Sequence, residues 1–346
     1  MASVASRANP VASALVPQPE QQFDAEFDVV GIGNALVDVI AHADDSFIAQ
    51  ESLVKGSMTL IETERAVSLY RALGSAVEMS GGSAANTMCG VASFGGKAAY
   101  IGKVCDDELG QVFRHDLRAV GIAFRPGRPD SDTPTGRSII IVTPDAERTM
   151  NTYLGISSLL CPPDIDEATV AAAKVLYMEG YLYDRPAAKE AFRAAARVAH
   201  DNGRQVSLTL SDSFCVDRHR DDFRGLVADE VDILFGNEEE LVSLYEVETF
   251  EDAVAKVRHD CDLAAITRGA AGSIIVTSDE VLPIPAEPVE RVLDTTGAGD
   301  LFASGFLFGF TNGRSLAECG RLGSIAAAEV ISHLGARPLV ELRTFA

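Results

Sequence analysis

The stretch Asp294-Thr295-Thr296-Gly297-Ala298-Gly299-Asp300 joins a turn of small residues to a strongly apolar segment and ends in a carboxylate. Beyond it Phe302, Phe306 and Phe310 recur at i, i+4 and i+8, one stripe of a helix, with Gly305 and Gly309 beside the stripe to allow close packing. The spacing predicts a buried helix whose N-terminus presents the free N–H groups of Gly297 to Asp300. Small side chains at Gly297, Ala298 and Gly299 let a ligand approach that backbone closely, so the turn reads as an anion site. Asp300 taken alone has a plainer reading, a first-turn acid that complements the helix dipole. The whole string favours chemistry, because amides able to hold a developing negative charge are followed at once by an acid able to accept a proton.

Working outward, Phe27 to Ile40 (FDVVGIGNALVDVI) opens as a buried strand and enters a glycine-rich turn. It nearly reads GxGxxG, but Leu36 replaces the third glycine and the residues after it alternate as a second strand, so a dinucleotide site is excluded by context. Asp38 lies among Leu36, Val37, Val39 and Ile40, where an unpaired carboxylate is costly, and a hydrogen-bonding partner is expected for it. A second glycine-rich element, Ser80-Gly81-Gly82-Ser83-Ala84-Ala85-Asn86, runs into a small-residue helix expected from Thr87 to Phe94. Gly102-Lys103-Val104 is not a Walker A sequence, since Val104 stands where a Ser or Thr must hold magnesium. Between Gly121 and Leu154 the β-branched run Ser138 to Thr143 leads into Asp145 to Arg148, a hairpin turn, and a second strand.

From Lys174 onward strands alternate with helices. Val175–Met178, Val206–Leu210, Val231–Phe235 and Leu263–Thr267 read as strands, and Arg185–Asn202 as an Ala-rich helix. Arg268 to Gly272 is a tight turn, and an Ala-rich helix from Ile325 to Leu334 precedes Gly335. This order implies a parallel sheet with right-handed crossovers, with ligands gathered at the C-terminal ends of its strands.

A chain of 346 residues is long enough for two domains or for one large α/β unit with insertions. Against 29 basic residues stand 51 acidic ones, a net charge of -22, which repels a phosphate-rich polymer and argues against a nucleic-acid partner. A nucleotide is still admissible, because backbone amides, a few Arg residues and Mg²⁺ can reverse the local field. The six cysteines are scattered without a CxxC pair, so neither zinc nor a disulfide framework is indicated, and free thiols fit a reducing, cytoplasmic setting. No apolar run approaches the roughly 18 residues of a membrane span. Residues 1–26, rich in Ala, Ser, Pro and Gln with a single Arg7, read as a disordered tail rather than a transit peptide.

The string ending at Asp300 resembles the C-terminal motif of the PfkB, or ribokinase-like, family of small-molecule kinases, and ordered elements from about Phe27 onward extend the resemblance over nearly the whole chain. It implies an α/β fold of three layers, a mostly parallel central sheet flanked by helices, with a small β-sheet lid. The boundaries expected are 27–40, 62–120 and 153–346 for the large ATP- and acceptor-binding domain, and 41–61 and 121–152 for the lid, where 41–61 forms short strands. By the same resemblance Asp300 is the base for an acceptor hydroxyl, and Gly297, Ala298 and Gly299 hold the transferring phosphoryl group.

Asn34 and Asp38 of a GNxxxD element, with Gly81, Gly82, Ser83 and Asn86, bind the acceptor. Asn237 and Glu240 of an NxxE element hold water around Mg²⁺; Thr267, Gly269 and Gly272 run along ATP; and Gly335 lies beside its adenine. Asp294 and Thr296 either form a monovalent-cation (K⁺) site or only shape the turn. Arg148 is either solvated or swings onto the phosphates.

Within the family the likeness is greatest to adenosine kinases, carried by GNALVD (33–38), SGGSAAN (80–86), LTLSDSF (208–214) and VDILFGNEEE (231–240). Adenosine is then the preferred acceptor, with Leu36, Leu60, Leu182 and Phe214 as an apolar slot for the purine and Asp38 on the ribose. A sugar kinase and a non-catalytic nucleoside-binding protein are the alternatives, the chain acting as monomer or homodimer.

Overall fold

The computed structural model describes residues 25–128, 131–145 and 147–346, so the tail expected over 1–26 lies almost wholly outside the described residues. In chain order the strands are β1 (Phe27–Ile32), β2 (Leu36–His42), β3 (Met58–Leu60), β4 (Ala76–Gly81), β5 (Ala98–Gly102), β6 (Ala123–Pro126) and β7 (Gly136–Val142). They continue with β8 (Arg148–Tyr153), β9 (Ala173–Glu179), β10 (Gln205–Thr209), β11 (Ile233–Asn237), β12 (Leu263–Thr267), β13 (Ser273–Thr277) and β14 (Val281–Ile284).

Among the described residues these strands make two sheets, β14-β13-β12-β11-β10-β9-β1-β5-β6 and β3-β8-β7-β2-β4. In the larger sheet every pair from β6 through β12 is parallel, and only the β12–β13 and β13–β14 pairs at one edge are antiparallel. Its central strands are predominantly apolar, with Val29–Val30, Val175–Met178 and Ile233–Phe235 as continuous apolar runs, because both faces are covered. One face, with Val30, Leu176 and Leu208, packs on the helices Pro186–Asp201, Ser213–Glu230 and Phe250–Asp260. The other, with Val29, Val175 and Ile233, packs on the helices Ser83–Ser93, Glu108–Ala119 and Ala298–Thr311. The result is the expected three-layer α/β body with a second, smaller sheet.

Small residues decide how closely the helices under the site approach. A Cβ at Gly305 would stand 2.4 Å from the Leu322 carbonyl oxygen, and one at Gly90 would stand 2.2 Å from Ser304 Oγ. The phenylalanine-striped helix therefore seats directly on the Ser83–Ser93 and Leu316–Ile331 helices, with Phe302, Phe306 and Phe310 all buried.

The structure differs from the expected boundaries in three places. Strands β2 and β4, assigned by sequence to the large body, belong to the small sheet, while β6 from the expected lid segment edges the large one. Segment 41–61 holds a short helix, Asp45–Gln50, capped by Asp44 through the N–H groups of Ser46 and Phe47, and only the three-residue β3. The helix expected from Thr87 begins instead at Ser83. Lys103, excluded above as a Walker lysine, is fully buried and paired with Asp164 at 3.0 Å.

Candidate active site

Gly297 caps the Ala298–Thr311 helix at φ 79°, the left-handed region, and a Cβ there would stand 2.8 Å from the Ala336 side chain. Glycine is required on both counts. The turn is held by Asp294, whose Oδ1 accepts from the Thr296 N–H at 3.0 Å and whose Oδ2 accepts from the Gly335 N–H at 3.0 Å. Arg148, at the start of β8, also donates to Asp294 Oδ2 and so ties the small sheet to the turn. Burial pushes the Asp294 carboxyl up, but these donors outweigh it and hold the pKa below the usual range.

Asp300 occupies the first turn of this helix, and its carboxylate accepts from Ser83 Oγ at 2.6 Å and Asn86 Nδ2 at 3.1 Å. Ser83 and Asn86 stand three apart on the first turn of their own helix, so both face the same way. Burial raises the Asp300 pKa from 3.8 to about 6 against the lowering effect of those two bonds. At pH 7.5 the group is ionised and able to take a proton.

These groups open into a cavity of about 1440 Å³ between the two sheets. Asn34, Leu36, Asp38, Gly82, Ser83 and Asn86 line one end of it, and Asn237, Glu240, Thr267, Gly269 and Gly272 another, with Thr296, Gly297, Ala298, Gly299 and Asp300 also in its wall. Phe214 stands at its rim, 74% exposed.

Four nominated residues stand behind the wall. Gly81 leaves room for Asp38, whose carboxylate would be 2.5 Å from a Cβ at that position. Arg148 is neither solvated nor in the wall but paired to Asp294. Gly335, expected beside adenine, gives its N–H to Asp294, and its neighbour Ala336 lines the cavity. Asp294 itself is 8% exposed and already bound by three donors, so a monovalent cation at that carboxylate requires them to give way.

Two further expectations need correcting. Leu182 is 2% exposed within the core cluster under the Pro186–Asp201 helix and does not line the slot, whereas Leu36 and Leu60 do. Asp38 is paired through its backbone on both sides of β2, but its carboxyl accepts no hydrogen bond among the described residues. Its carboxyl faces the cavity, where burial and the Asp300 charge raise its pKa to about 6 against the pull of Arg337 and Arg148.

Asn237 and Glu240 form a reciprocal cap: Glu240 Oε2 and Oε1 accept from the Asn237 N–H (3.0 Å) and Nδ2 (2.6 Å), and Asn237 Oδ1 accepts from the Glu240 N–H (2.9 Å). Burial lifts the Glu240 pKa to about 7. Among the described residues no trio of His, Cys, Asp or Glu is grouped to ligate a metal directly. Hard oxygen donors already fixed by a cap fit Mg²⁺ held through water, which leaves the cap intact.

Glu179 was not foreseen. It ends β9, is 1% exposed, and lines the cavity. Its oxygens accept from Asn34 Nδ2 at 3.0 Å and from the Ala84 N–H at 2.9 Å, so it joins the β1–β2 turn to the start of the Ser83–Ser93 helix. Burial raises its pKa to about 7. An acid closing an otherwise apolar parallel strand just before Gly180 was the available signal.

The raised carboxyls have a consequence for stability. A folded-state pKa above the ordinary value favours folding at low pH, and that contribution is lost as pH rises through the folded pKa. Asp300→Asn, which cannot ionise, is therefore expected to gain about 1–2 kcal/mol of stability relative to the native chain between pH 4 and pH 8, after discounting for the solvated cavity, over and above the pH-independent cost of the donors left facing its amide. The gain should vanish as pH falls from about 6 toward 4, and denaturant midpoints that show no such pH dependence would refute the assignment of a buried, costly charge at Asp300.

Residues 50–342 match the model of the pfkB family carbohydrate kinases. The crystal structure of adenosine kinase from Sinorhizobium meliloti is 53% identical with a TM-score of 0.85, covering 93% of this chain and 98% of that one. A probable sugar kinase from Rhizobium etli CFN 42 is 50% identical with a TM-score of 0.85 over the same shares. A 5-dehydro-2-deoxygluconokinase from Halalkalibacterium halodurans is 28% identical over 90% of this chain and 91% of its own. The chain belongs to the PfkB family, ATP-dependent phosphotransferases that act on hydroxyl groups of sugars or nucleosides, and has its ribokinase-like α/β fold.

Proposed function

We propose that the chain transfers the γ-phosphoryl group of ATP to the 5′-hydroxyl of adenosine. The observation that carries this reading is the placement of the Asp300 carboxylate, beside the amides of 297–299, in one cavity with the unpartnered Asp38 carboxyl and an apolar wall of Leu36, Leu60, Ile140 and Met150. Asp300 accepts the hydroxyl proton as the new P–O bond forms and the bond to ADP breaks. The helix N-terminal amides hold the charge on the transferring group, and Arg148 reaches it from the small sheet on releasing Asp294. Asn237 and Glu240 would hold Mg²⁺ through water, which supplies charge neutralisation at the phosphates. Thr267, Gly269 and Gly272 flank the nucleotide. Asp38 receives the vicinal ribose hydroxyls, and the apolar wall receives the purine.

The small sheet acts in this reading as a lid that excludes water from the transfer. Bound adenosine and a non-hydrolysable ATP analogue are expected to slow amide exchange across 41–61 and 136–153. Unchanged exchange in both segments rules the lid out.

A sugar acceptor is the second reading, favoured by the buried Glu179 in the cavity wall and by the sugar-kinase names among the relatives. The two are separated by kcat/KM with ATP for adenosine, 2′-deoxyadenosine, ribose and fructose. Adenosine is expected to be best and its 2′-deoxy form clearly worse, because the buried Asp38 is left without a partner. A free sugar that outperforms adenosine transfers the assignment to the second reading.

A further inference from the structure

Three consecutive residues after the Leu316–Ile331 helix touch three parts of the site. Gly335 donates to Asp294, Ala336 packs on Gly297, and Arg337 spans β4 and the helix after it, its Nε donating to Asn86 Oδ1 of the Ser83–Ser93 helix at 3.3 Å and an Nη to Ser80 Oγ of β4 at 2.8 Å. The segment is itself pinned, since Leu339 N–H donates to Glu329 at 2.9 Å and Leu342 N–H to Ser93 Oγ at 3.0 Å.

The Asn86 amide stands between a guanidinium, which can only donate, and a carboxylate, which can only accept. Its orientation is thereby dictated, with Oδ1 toward Arg337 and Nδ2 toward Asp300. Resting on the kinase reading above, we propose that Arg337 is a positioning residue for phosphoryl transfer, acting through Asn86 to fix the hydrogen bond that orients the Asp300 carboxylate.

Two observations support a role beyond packing. The second Nη of Arg337 is buried without a partner among the described residues, a cost that a purely structural arginine has no reason to bear. Of the charges acting on Asp38, Arg337 is the strongest that favours its ionised form, ahead of Arg148. One guanidinium thus serves the base through an amide and the acceptor carboxylate through its charge. The other titratable groups that feel Asp300 are Asp38 on β2, Glu179 and Tyr177 on β9, and Tyr181 after it, and none of them donates to the Asp300 carboxylate.

The test compares the native chain with Arg337→Ala, Asn86→Ala, the double variant and Arg337→Lys, each checked for a native melting transition. The Asp300 pKa is read directly by ¹³C-carboxyl titration, and kcat and KM are measured with ATP and adenosine. Arg337→Ala is expected to raise the Asp300 pKa by about half a unit or more and to lower kcat roughly 10- to 100-fold, with KM for ATP within about twofold. In the Asn86→Ala background the same change should cost less than about threefold, since residues that act through one another are not additive. Arg337→Lys, which keeps the charge without the planar fork, should restore acceptor KM more than kcat. An unchanged Asp300 titration, or an equal kcat loss in both backgrounds, overturns the proposal. Absence of turnover in the native chain overturns the kinase reading instead, and the carboxyl titration still decides whether Arg337 positions Asp300.

Discussion

Asp300→Asn is expected to lower kcat by roughly two to four orders of magnitude while ATP binding stays within about threefold. The substitution keeps the shape of the helix N-terminus and the amides of 297–299, and removes the capacity to take a proton. Ser83 Oγ and Asn86 Nδ2 both donate to this carboxylate, so the native group is held in one orientation with its acceptor capacity facing the cavity. An asparagine offers one oxygen where two donors point, which disturbs the local network but leaves the nucleotide end near Thr267 and Gly269 untouched. The acid limb of kcat/KM in the native chain should fall near pH 6, where Asp300 and Asp38 both protonate. Retention of more than about a tenth of native turnover in the variant would remove Asp300 from the role of base.

Gly297→Ala is the second large effect. The residue sits at φ 79°, and a Cβ there meets the side chain of Ala336 at 2.8 Å and its backbone at 2.9 Å. The left-handed conformation alone costs an alanine about 1–2 kcal/mol, and the collision with backbone has no flexible atom to yield. The turn should shift, and with it the amides that face the transferring group. Loss of one well-placed anion-hole donor is worth about 10²–10³ in kcat, so a fall of about that size is expected. KM for the acceptor should change little, because Asp38 and the apolar wall lie on the small sheet, away from this turn. A kcat within about threefold of native would show that the amides of this turn do not stabilise the transferring charge.

How much of this was open to a reader of the chain differed by element, for physical reasons. The strands Val175–Met178, Val206–Leu210 and Leu263–Thr267 announce themselves because burial on both faces leaves them with apolar or small side chains and no charge, and the Phe302, Phe306, Phe310 stripe announces its helix by period. The Asp45–Gln50 helix buries only Ile48, so it has no stripe to read. Sheet membership was hidden as well: Leu36–His42 leaves β1 through a short turn, and nothing local distinguishes a strand that continues one sheet from one that crosses to another.

At the site, residues on glycine-rich turns were legible because small residues before a helix have few other uses. Contacts made over long separations were not. The pairing of Asp300 with Ser83 and Asn86 and the reach of Arg337 to Asn86 span more than 200 positions. Leu182 was misplaced because neighbouring residues on one turn face opposite ways, and by the same geometry chain order alone does not say which of Gly335 and Ala336 faces the cavity.

The central claim is that this chain moves a phosphoryl group from ATP to a nucleoside hydroxyl with Asp300 as the base. Product formation followed by ³¹P NMR with ATP, Mg²⁺ and adenosine tests it most directly. The native chain should form adenosine 5′-monophosphate and ADP in equal amounts, and Asp300→Asn should form neither at a comparable rate. ADP accumulating without the nucleoside monophosphate, or the monophosphate appearing at an unchanged rate in the variant, would contradict it.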